Sequence, residues 1–361
     1  MPFNILDAQI VNQLRKFSAV AEEAGELVPD QLSIIYDKKW FKLFVSEKFG
    51  GHEMTLPEGL RLEEDIARID GSLGWTVTLC AGANLFVGFI DPVLAKEYFY
   101  DEKVCLGGSG IVSGTADVLE DGLLINGHWK YVTGEPHLSH FTVNCRLMKA
   151  GVYLNDENGV PLVRSFIFKK EEVAVSKDWN TMGLKATASN SFTVNNLKVD
   201  KNRMFIIAPE HSTINSALYH YPFLQFAETT LAVNTLGMAK HFLEEARHIA
   251  AQRLQSGRTN QEGYDTTINR INFAQNFMDK NKENFYAKVD RSWQQLTEHN
   301  LIEPELLQSI SFLSKGMAKA SRELLMEVYP RCGLAATENG SAINRIFRDI
   351  FTGSQHSLLA V

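Results

Sequence analysis

The sequence has few cysteines and lacks the motifs in which cysteines act together. The four cysteines of this 361-residue chain, Cys80, Cys105, Cys145 and Cys332, are far apart, and no Cys-x-x-Cys pair occurs. A disulfide framework or a structural zinc site needs several cysteines at short, regular spacing. The spacing argues against both and predicts four buried free thiols, as expected for a cytoplasmic protein.

Positive charge is also scarce. The chain has 36 lysines and arginines against 43 acidic residues, which gives a formal net charge of −7. Binding to nucleic acid needs a strongly basic face, so no nucleic-acid partner is expected. The first residues, MPFNILDAQIVNQLRKF, lack the basic and apolar regions of a signal peptide.

A single apolar run requires a membrane test. Residues 73–90, LGWTVTLCAGANLFVGFI, carry no charge over 18 residues, which is close to the minimum for a membrane span. Threonine, asparagine and glycine dilute the run, and no basic flank gives it an orientation. We therefore predict a buried helix and no membrane partner.

The usual nucleotide and metal motifs are missing. The segment GGSGIVSG at 107–114 has the wrong glycine spacing for a Rossmann fingerprint, and a hairpin pattern follows it where a helix is required. It is instead typical of a glycine-rich strand at a sheet edge, flexible or close to a ligand. His137 and His140 are three residues apart, but two such rings need not converge on a strand or turn, so no metal site is predicted.

Three blocks with different patterns of apolar residues follow one another along the chain. Residues 1–103 place apolar residues at helical spacing, and residues 104–205 change to short alternating runs with turns such as Asp121-Gly122. Residues 206–361 return to long helical patterns with short connections. The predicted fold class is therefore α+β and multi-domain, with an N-terminal all-α domain (1–103), a central antiparallel β-sandwich or barrel (104–205) and a C-terminal four-helix bundle (206–361).

The segment GHWKYVTG carries a candidate cofactor site. Trp129 and Tyr131 are two residues apart, which would place both rings on one face of a strand, and Thr133-Gly134 follows at its end. An aromatic wall beside a hydroxyl and an exposed backbone suits a flat ring with polar edges, such as a flavin. An aromatic stripe in a sheet core gives the same pattern, and the pattern leaves both interpretations open.

Two further segments admit a functional and a structural interpretation. In WNTMGLKATASNSF, Trp179 precedes a loop of small and hydroxyl residues that could cradle a cofactor or form a polar turn. Glu228 lies at the otherwise apolar start of a helix. It could be a base with a raised pKa, or a first-turn residue favoured by the helix dipole.

The C-terminal segment NRIFRDIFTGSQH contains a candidate acid or base. Asp349, Thr352 and His356 would share one helical face if the helix continued through Gly353. A histidine there could exchange protons near neutral pH. A surface histidine near a helix C-terminus would give the same pattern.

Five segments in order carry a family resemblance: LEEDIARIDGSLGW, INGHWKYVTG, GLKATASNSFTVNNLKV, LGMAKHFLEEA and RIFRDI. Together they resemble the acyl-CoA dehydrogenase superfamily of flavoproteins over nearly the whole chain. The resemblance implies FAD, with FMN as the alternative, between the β domain and the bundle of a homotetramer. By position, Tyr131 and Thr133 match the aromatic-x-Thr/Ser pair beside the isoalloxazine ring, and Trp179 matches the tryptophan at the far side of the flavin pocket. The remaining flavin contacts are expected from Trp129, Gly134, Ser109 and Arg348.

The superfamily has two branches with different chemistry. Dehydrogenases usually carry Thr-Glu-Pro in the first strands and Glu-Gly after the Arg-Asp of the last helix, where this sequence has CLGGS and SQHS. A minority place the base on the first bundle helix, and Glu228 is one residue out of register with it. The flavin-dependent monooxygenases have Gln-His after the Arg-Asp, and their histidine, near the flavin edge where oxygen adds, matches His356. Relatives in that branch often have another histidine about where Asn84 stands.

Three hypotheses follow. The first is a monooxygenase in which His356 acts as acid or base on a small-molecule substrate, with reduced flavin supplied by a partner reductase or formed in place. The second is an acyl-CoA dehydrogenase that uses Glu228 and passes electrons to a partner. The third is a non-catalytic homologue that binds flavin or only assembles as an oligomer.

Overall fold

The structure, a computed structural model, describes residues 5–360. Helices occupy both ends of this described part, and strands occupy its middle. The helices are α1 (Ala8–Ala24), α2 (Pro29–Asp37), α3 (Leu56–Ile69), α4 (Gly71–Asn84), α5 (Pro92–Tyr98), α6 (Ala217–His220), α7 (Phe223–Gln255), α8 (Gln261–His299), α9 (Pro304–Val328) and α10 (Ala342–Gly353). The strands are β1 (Leu106–Leu119), β2 (Gly122–Val132), β3 (His140–Lys149), β4 (Val152–Tyr153), β5 (Val163–Lys169), β6 (Ala174–Ser176), β7 (Asn190–Val199) and β8 (Met204–Phe205).

Local sequence signals set the N-terminal helices. Thr55 and Glu58 form a reciprocal capping box at the start of α3. Asp70 ends α3 and caps α4, because its Oδ1 accepts a hydrogen bond from the backbone N–H of Leu73 at 2.9 Å. Helix α4 is buried on nearly every side, which explains its apolar sequence without periodicity and confirms the predicted buried helix. Among the described residues, no helix is long and apolar enough to cross a bilayer.

The strands form one connected sheet of mixed direction, in the order β6-β7-β2-β1-β3-β5-β8, with β4 beside β3. The hairpin predicted at Asp121-Gly122 joins β1 to β2. The prediction of a purely antiparallel sheet was wrong in one pair, because β1 and β3 run parallel. Strand β2 uses its other edge for β7, so β3 pairs with the far edge of β1 and runs in the same direction.

The C-terminal helices pack around α7. Helix α7 contacts α8, α9 and α10, and it also contacts α3 and α4 from the N-terminal helices. It begins at Phe223, directly after Pro222, because a proline disfavours helix at the residue before it. The helical, strand and bundle order confirms the predicted fold class, whereas the boundaries of three separate domains stay a prediction.

Candidate active site

A cavity of about 200 Å³ lies where α4, the start of β1, the start of α7 and the C-terminal turn meet. Its walls are mainly apolar and include the rings of Phe86, Phe205, Phe223 and Phe226. Among the described residues that line it, none is an aspartate, glutamate, lysine or arginine. These walls suit an uncharged or weakly polar ring that is shielded from water.

A larger cavity, of about 540 Å³, lies beside α2 and α5. Its walls carry Lys39, Lys42, Lys48 and Lys96. None of the residues predicted to bind flavin or to catalyse a reaction lines it. We therefore place the candidate active site in the smaller, apolar cavity.

His356 lies in the wall of the apolar cavity, in a turn and not on a helix. Helix α10 ends at Gly353, so the helical face predicted to join Asp349, Thr352 and His356 does not form. The backbone N–H of His356 instead donates to the carbonyl of Gly353 at 3.1 Å. This turn brings the imidazole back to the cavity, with its ring centre 6.0 Å from that of Trp75 on α4.

Hydrogen bonding defines the protonation state of His356. Its Nδ1 accepts a hydrogen bond from the backbone N–H of Leu358 at 3.3 Å. Burial lowers the pKa of His356, so the ring is neutral at pH 7. In a neutral imidazole with Nδ1 as the acceptor, the proton is on Nε2. The cavity therefore contains a neutral imidazole whose Nε2–H can donate a hydrogen bond.

Thr133 lines the same cavity and begins a chain of hydroxyl groups. Its Oγ1 lies 2.9 Å from Oγ of Ser189, which lies 2.7 Å from Oγ1 of Thr187. Thr187 Oγ1 in turn donates to the backbone carbonyl of Leu184 at 2.8 Å. These three side chains, here called the hydroxyl chain, connect the cavity to the loop between Trp179 and β7.

That loop holds an uncommon backbone conformation. Leu184 and Ala188 have φ of 52° and 43°, values that residues with a Cβ rarely adopt. The loop is held on both sides, because the N–H of Leu184 donates to Asp349 Oδ1 at 2.5 Å and the N–H of Gly134 donates to the carbonyl of Thr187 at 2.8 Å. Gly134 therefore contributes through its backbone and its own left-handed φ of 75°.

Ser109 lines the cavity from the glycine-rich start of β1. Residues 106–113 pair through their backbone only with β3, because the pairing with β2 begins at Gly114. Residues 106–113 of β1 therefore form the predicted sheet edge, although the rest of β1 is a central strand. Asn144 of β3, which the sequence analysis missed, donates from Nδ2 to the carbonyl of Gly110 at 3.0 Å and also lines the cavity.

The predicted aromatic wall of Trp129 and Tyr131 is wrong. Trp129 is fully buried in the sheet, stacked on Phe192, with Cζ2 only 2.1 Å from the position that a Cβ on Gly114 would occupy. The pairing of β2 with β7 shifts after Trp129, and Tyr131 there has φ of 67° and a 60% exposed side chain. Such a bulge moves Tyr131 off the strand face that Trp129 occupies. Trp129 is fully buried and is therefore a core residue and not a flavin contact.

Tyr131 and Trp179 contact each other outside the cavity. Their ring centres are 6.1 Å apart at 75°, and Trp179 Nε1 donates to the carbonyl of Leu184 at 2.9 Å. Trp179 thus supports the same loop that carries the hydroxyl chain. The flavin contacts expected from these two rings stay a prediction, because neither ring lines the cavity.

Arg348 does not line the cavity either. Its guanidinium pairs with Glu22 of α1, donates to the carbonyl of Met182 at 2.6 Å and, through Nε, donates to Asn344 Oδ1 at 2.7 Å. These contacts tie α1 and the Trp179 loop to α10. Arg348 therefore has a structural role in these contacts, and the expected flavin contact stays a prediction.

Glu228 faces away from the cavity. Its neighbours Ala227, Thr230 and Leu231 line the cavity, whereas Glu228 Oε1 lies 3.5 Å from Nζ of Lys315 on α9. The carboxylate is buried within the helix packing. The structure therefore does not bring Glu228 and His356 together in one site.

Asn84 has a structural role at the end of α4. It is fully buried, its Nδ2 donates to the carbonyl of Phe41 at 2.7 Å, and its Oδ1 accepts from the N–H of Leu106 at 2.9 Å. Asn84 thereby joins the N-terminal helices to the start of β1. It does not line the cavity.

Comparison with known proteins identifies the fold. Residues 229–360 match the family model described as acyl-CoA dehydrogenase, C-terminal domain. The chain is 21% identical to the oxygenase subunit HsaA of a flavin-dependent monooxygenase from Rhodococcus jostii, over 98% of this chain and 93% of that protein. It is also 21% identical to indole-3-acetate monooxygenase from Pseudomonas putida, over 88% of this chain and 80% of that protein.

Solved structures agree with the sequence comparisons. The crystal structure of the HsaA monooxygenase from M. tuberculosis superposes with a TM-score of 0.88 at 20% identity, over 97% of this chain and 93% of that one. XiaF from Streptomyces, in complex with FADH2 and glycerol, gives 0.81 at 18% identity, over 98% of this chain and 92% of that one. TdsC from Paenibacillus, in complex with FMN and indole, gives 0.74 at 19% identity, over 97% and 92%. Residues 229–360 therefore resemble the acyl-CoA dehydrogenase C-terminal domain, and the chain has the fold of these solved flavin-dependent monooxygenases.

Proposed function

We propose that this protein is the oxygenase component of a two-component flavin-dependent monooxygenase. The observation that carries the proposal is the apolar cavity shared by His356, Thr133 and Ser109, without a lining carboxylate among the described residues. An acyl-CoA dehydrogenase needs a carboxylate base over the flavin, whereas an oxygenase needs a dry site with a proton donor. The apolar walls, the imidazole and the lack of a carboxylate among the described lining residues support the second arrangement.

The residues fit a flavin ring. A flavin has a flat apolar face and an edge of nitrogen and oxygen atoms, so it needs apolar walls with a few hydrogen-bonding groups. Thr133, Ser109 and the backbone of the glycine-rich start of β1 supply polar groups on one side, and His356 supplies an N–H. When bound in its reduced form, the flavin supplies the electrons that activate molecular oxygen for transfer of one oxygen atom to the substrate. The solved relatives hold both FADH2 and FMN, and we propose FAD for this chain, with FMN as the alternative.

His356 has two tasks in this proposal. Its Nε2–H would donate a hydrogen bond to negative charge that develops on an oxygen in the cavity. To act as a general acid, the ring would first take up a second proton on Nδ1 and then release the proton on Nε2. The lowered pKa keeps the ring neutral at pH 7, so it acts as a donor without placing a fixed charge in the apolar cavity. The backbone N–H of Leu358 on Nδ1 fixes the ring orientation and the tautomer.

The cavity walls also indicate the substrate class. Four phenylalanine rings and Leu231 line the cavity, and no cation among the described lining residues could pair with an acidic substrate. A small, uncharged aromatic molecule fits these walls best. Exclusion of bulk water by the same rings protects the activated oxygen from wasteful breakdown. A separate flavin reductase would supply the reduced flavin to this enzyme.

The dehydrogenase alternative is weaker for a geometric reason. Glu228 pairs with Lys315 on the opposite side of α7 from the cavity, so it cannot reach a substrate carbon there without a large rearrangement. Anaerobic addition of a panel of acyl-CoA thioesters to the flavin-loaded protein would test this alternative. Loss of the flavin's yellow absorption with any thioester, abolished in Glu228→Gln, would support dehydrogenation and contradict the proposal.

The decisive experiment tests His356 with a reductase that supplies reduced FMN or FAD. Oxygen uptake and hydroxylated product are measured with indole as the probe substrate, in the wild type, in His356→Ala and in His211→Ala, which changes an exposed histidine. Removal of a general acid or base typically costs a factor of about 10² to 10⁴ in rate, so product formation should fall that far only in His356→Ala. Unchanged product formation in that variant would overturn the assignment. Absence of hydroxylation by the wild type with a broader aromatic panel would overturn the proposed function.

A further inference from the structure

The larger cavity beside α2 and α5 is separate from the candidate active site. Its volume of about 540 Å³ is typical of a small-molecule site. Its described lining residues come from three segments, 36–50, 92–102 and 213–214, and none of them also lines the apolar cavity. The proposed function therefore leaves this second cavity without a role.

Positive charge dominates the walls of the larger cavity. Lys39, Lys42, Lys48 and Lys96 line it, and Glu102 is the one acidic residue among the described lining residues. In the part of the chain that the structure describes, none of the four ammonium groups lies within ion-pair distance of a carboxylate. These walls thus concentrate unpaired positive charge in a chain whose formal net charge is −7, which favours an anionic ligand.

Lys42 has an ammonium group that is short of partners. The residue is only 6% exposed, and its Nζ donates one hydrogen bond, to the backbone carbonyl of Asp101 at 3.3 Å. An ammonium group has three hydrogens to donate, and the described residues supply no second acceptor. Burial lowers the pKa of Lys42, because it disfavours the charged form. An anion beside Nζ would supply an acceptor and stabilise that charge.

Two aromatic rings lie beside these lysines in the cavity wall. The rings of Phe49 and Phe99 meet edge to face, with their centres 5.9 Å apart. The Nζ of Lys48 lies 5.5 Å from the centre of the Phe49 ring, and the Nζ of Lys42 lies 5.8 Å from that of Phe99. A flat ring can pack against such a pair while an anionic substituent on it pairs with the ammonium groups.

We propose that the larger cavity is a second ligand site, which binds a small aromatic anion with a phosphate or carboxylate group. Of these two groups, a phosphate monoester carries the larger charge at pH 7, about −1.5 to −2, and it matches the excess of lysines better. The apolar cavity, without a charged lysine or arginine among its described lining residues, suits the opposite class of ligand. The proposal does not depend on the proposed function.

The test is isothermal titration calorimetry of the full chain without added flavin. Phenyl phosphate is the main probe, benzoate carries a carboxylate in its place, inorganic phosphate lacks the ring and benzyl alcohol lacks the charge. Each is titrated into the wild type, Lys42→Met and Lys48→Met, because methionine keeps an unbranched apolar side chain and removes the charge. Lys38→Met is the matched control, since Lys38 pairs with Asp37 at 3.3 Å and does not line the cavity.

We expect the wild type to bind phenyl phosphate at least about threefold more tightly than inorganic phosphate, because of the ring contact. Loss of a hydrogen bond to a charged group should weaken phenyl phosphate binding about tenfold or more in Lys42→Met. The exposed Lys48 should contribute a smaller factor, and Lys38→Met should bind like the wild type. If Lys42→Met does not fold, the double variant Lys39→Met/Lys48→Met gives the same comparison with two exposed side chains.

The order of phenyl phosphate and benzoate shows which anionic group the site prefers, and binding of either that depends on the lysines supports the proposal. Absence of binding of both probes by the wild type would overturn it. Equally tight binding of benzyl alcohol would show that charge is not recognised, and equally tight binding of inorganic phosphate would show that the ring is not. Unchanged binding in the lysine variants, or an equal loss in Lys38→Met, would also overturn the proposal. None of these outcomes bears on the proposed function, because no flavin takes part in the test.

Discussion

A substitution of Asn84 tests whether this residue has a structural role or belongs to the active site. The resemblance to the monooxygenase branch predicts a histidine about here in relatives, whereas in this structure Asn84 bridges two backbone groups and does not line the cavity. The substitution Asn84→Ala leaves the carbonyl of Phe41 and the N–H of Leu106 buried without this partner. Each such group costs about 1 to 3 kcal/mol, so the expected loss is about 2 to 6 kcal/mol. That loss is a large fraction of the stability of an ordinary domain.

The assay is equilibrium urea unfolding, followed by circular dichroism and by tryptophan fluorescence, with flavin affinity measured on the folded protein. Asn126→Ala is the matched control, because its side chain accepts one backbone hydrogen bond, from Asn196 at 2.7 Å, at an exposed site. The control should lose less than about 1 kcal/mol. A loss below about 1 kcal/mol for Asn84→Ala, combined with weakened flavin binding, would refute the structural role and place Asn84 in the active site.

Two further predictions concern stability alone. Burial, and then the nearby Asp70 carboxylate, raises the pKa of Asp349 to about 8, above its unfolded value of 3.8. The protonated Asp349 carboxyl therefore contributes its full stabilisation of the folded state below about pH 4. This contribution to the free energy of unfolding is lost as the pH rises towards 8, by about 1.4 kcal/mol per pH unit. Asp349→Asn should remove that slope in urea unfolding at pH 5 to 7.5, and an unchanged slope would contradict the raised pKa. Gly114→Ala forces a methyl group against Trp129 and should lower the free energy of unfolding by about 1 to 3 kcal/mol. The control Gly316→Ala in α9, with open space around it, should raise the free energy of unfolding by up to about 1 kcal/mol. Similar thermal midpoints for the two variants would refute the close packing over Gly114.

Regular elements could be predicted from the sequence because short-range signals determine them. The capping box of Thr55 and Glu58, the turn at Asp121-Gly122 and the long apolar periodicities of the bundle each act within a few residues. The parallel pairing of β1 with β3 could not be predicted in this way. It depends on which edge β2 leaves free after it pairs with β7, and that is a property of the whole sheet.

The site was predicted less completely than the fold, for a similar reason. Thr133 and His356 follow from family motifs, and both line the cavity. The aromatic wall was wrong because Trp129 packs in the sheet core and a bulge at Tyr131 moves that ring to another face, and a bulge has no reliable sequence signal here. Ser189 was missed because its importance depends on contacts with side chains 2 and 56 residues away in the sequence.

Helical geometry explains why a carboxylate so close in sequence to the cavity is not part of it. Ala227, Thr230 and Leu231 are related by three and four positions, so they lie on one face of α7, and that face lines the cavity. Glu228 is one residue after Ala227, which rotates its side chain by about 100° around the helix axis. That rotation directs it to Lys315 on α9. A glutamate one position earlier on α7 would line the cavity and could act as a catalytic base, whereas Glu228 pairs within the bundle. The imidazole of His356 is therefore the one ionisable side chain among the described residues that line the cavity.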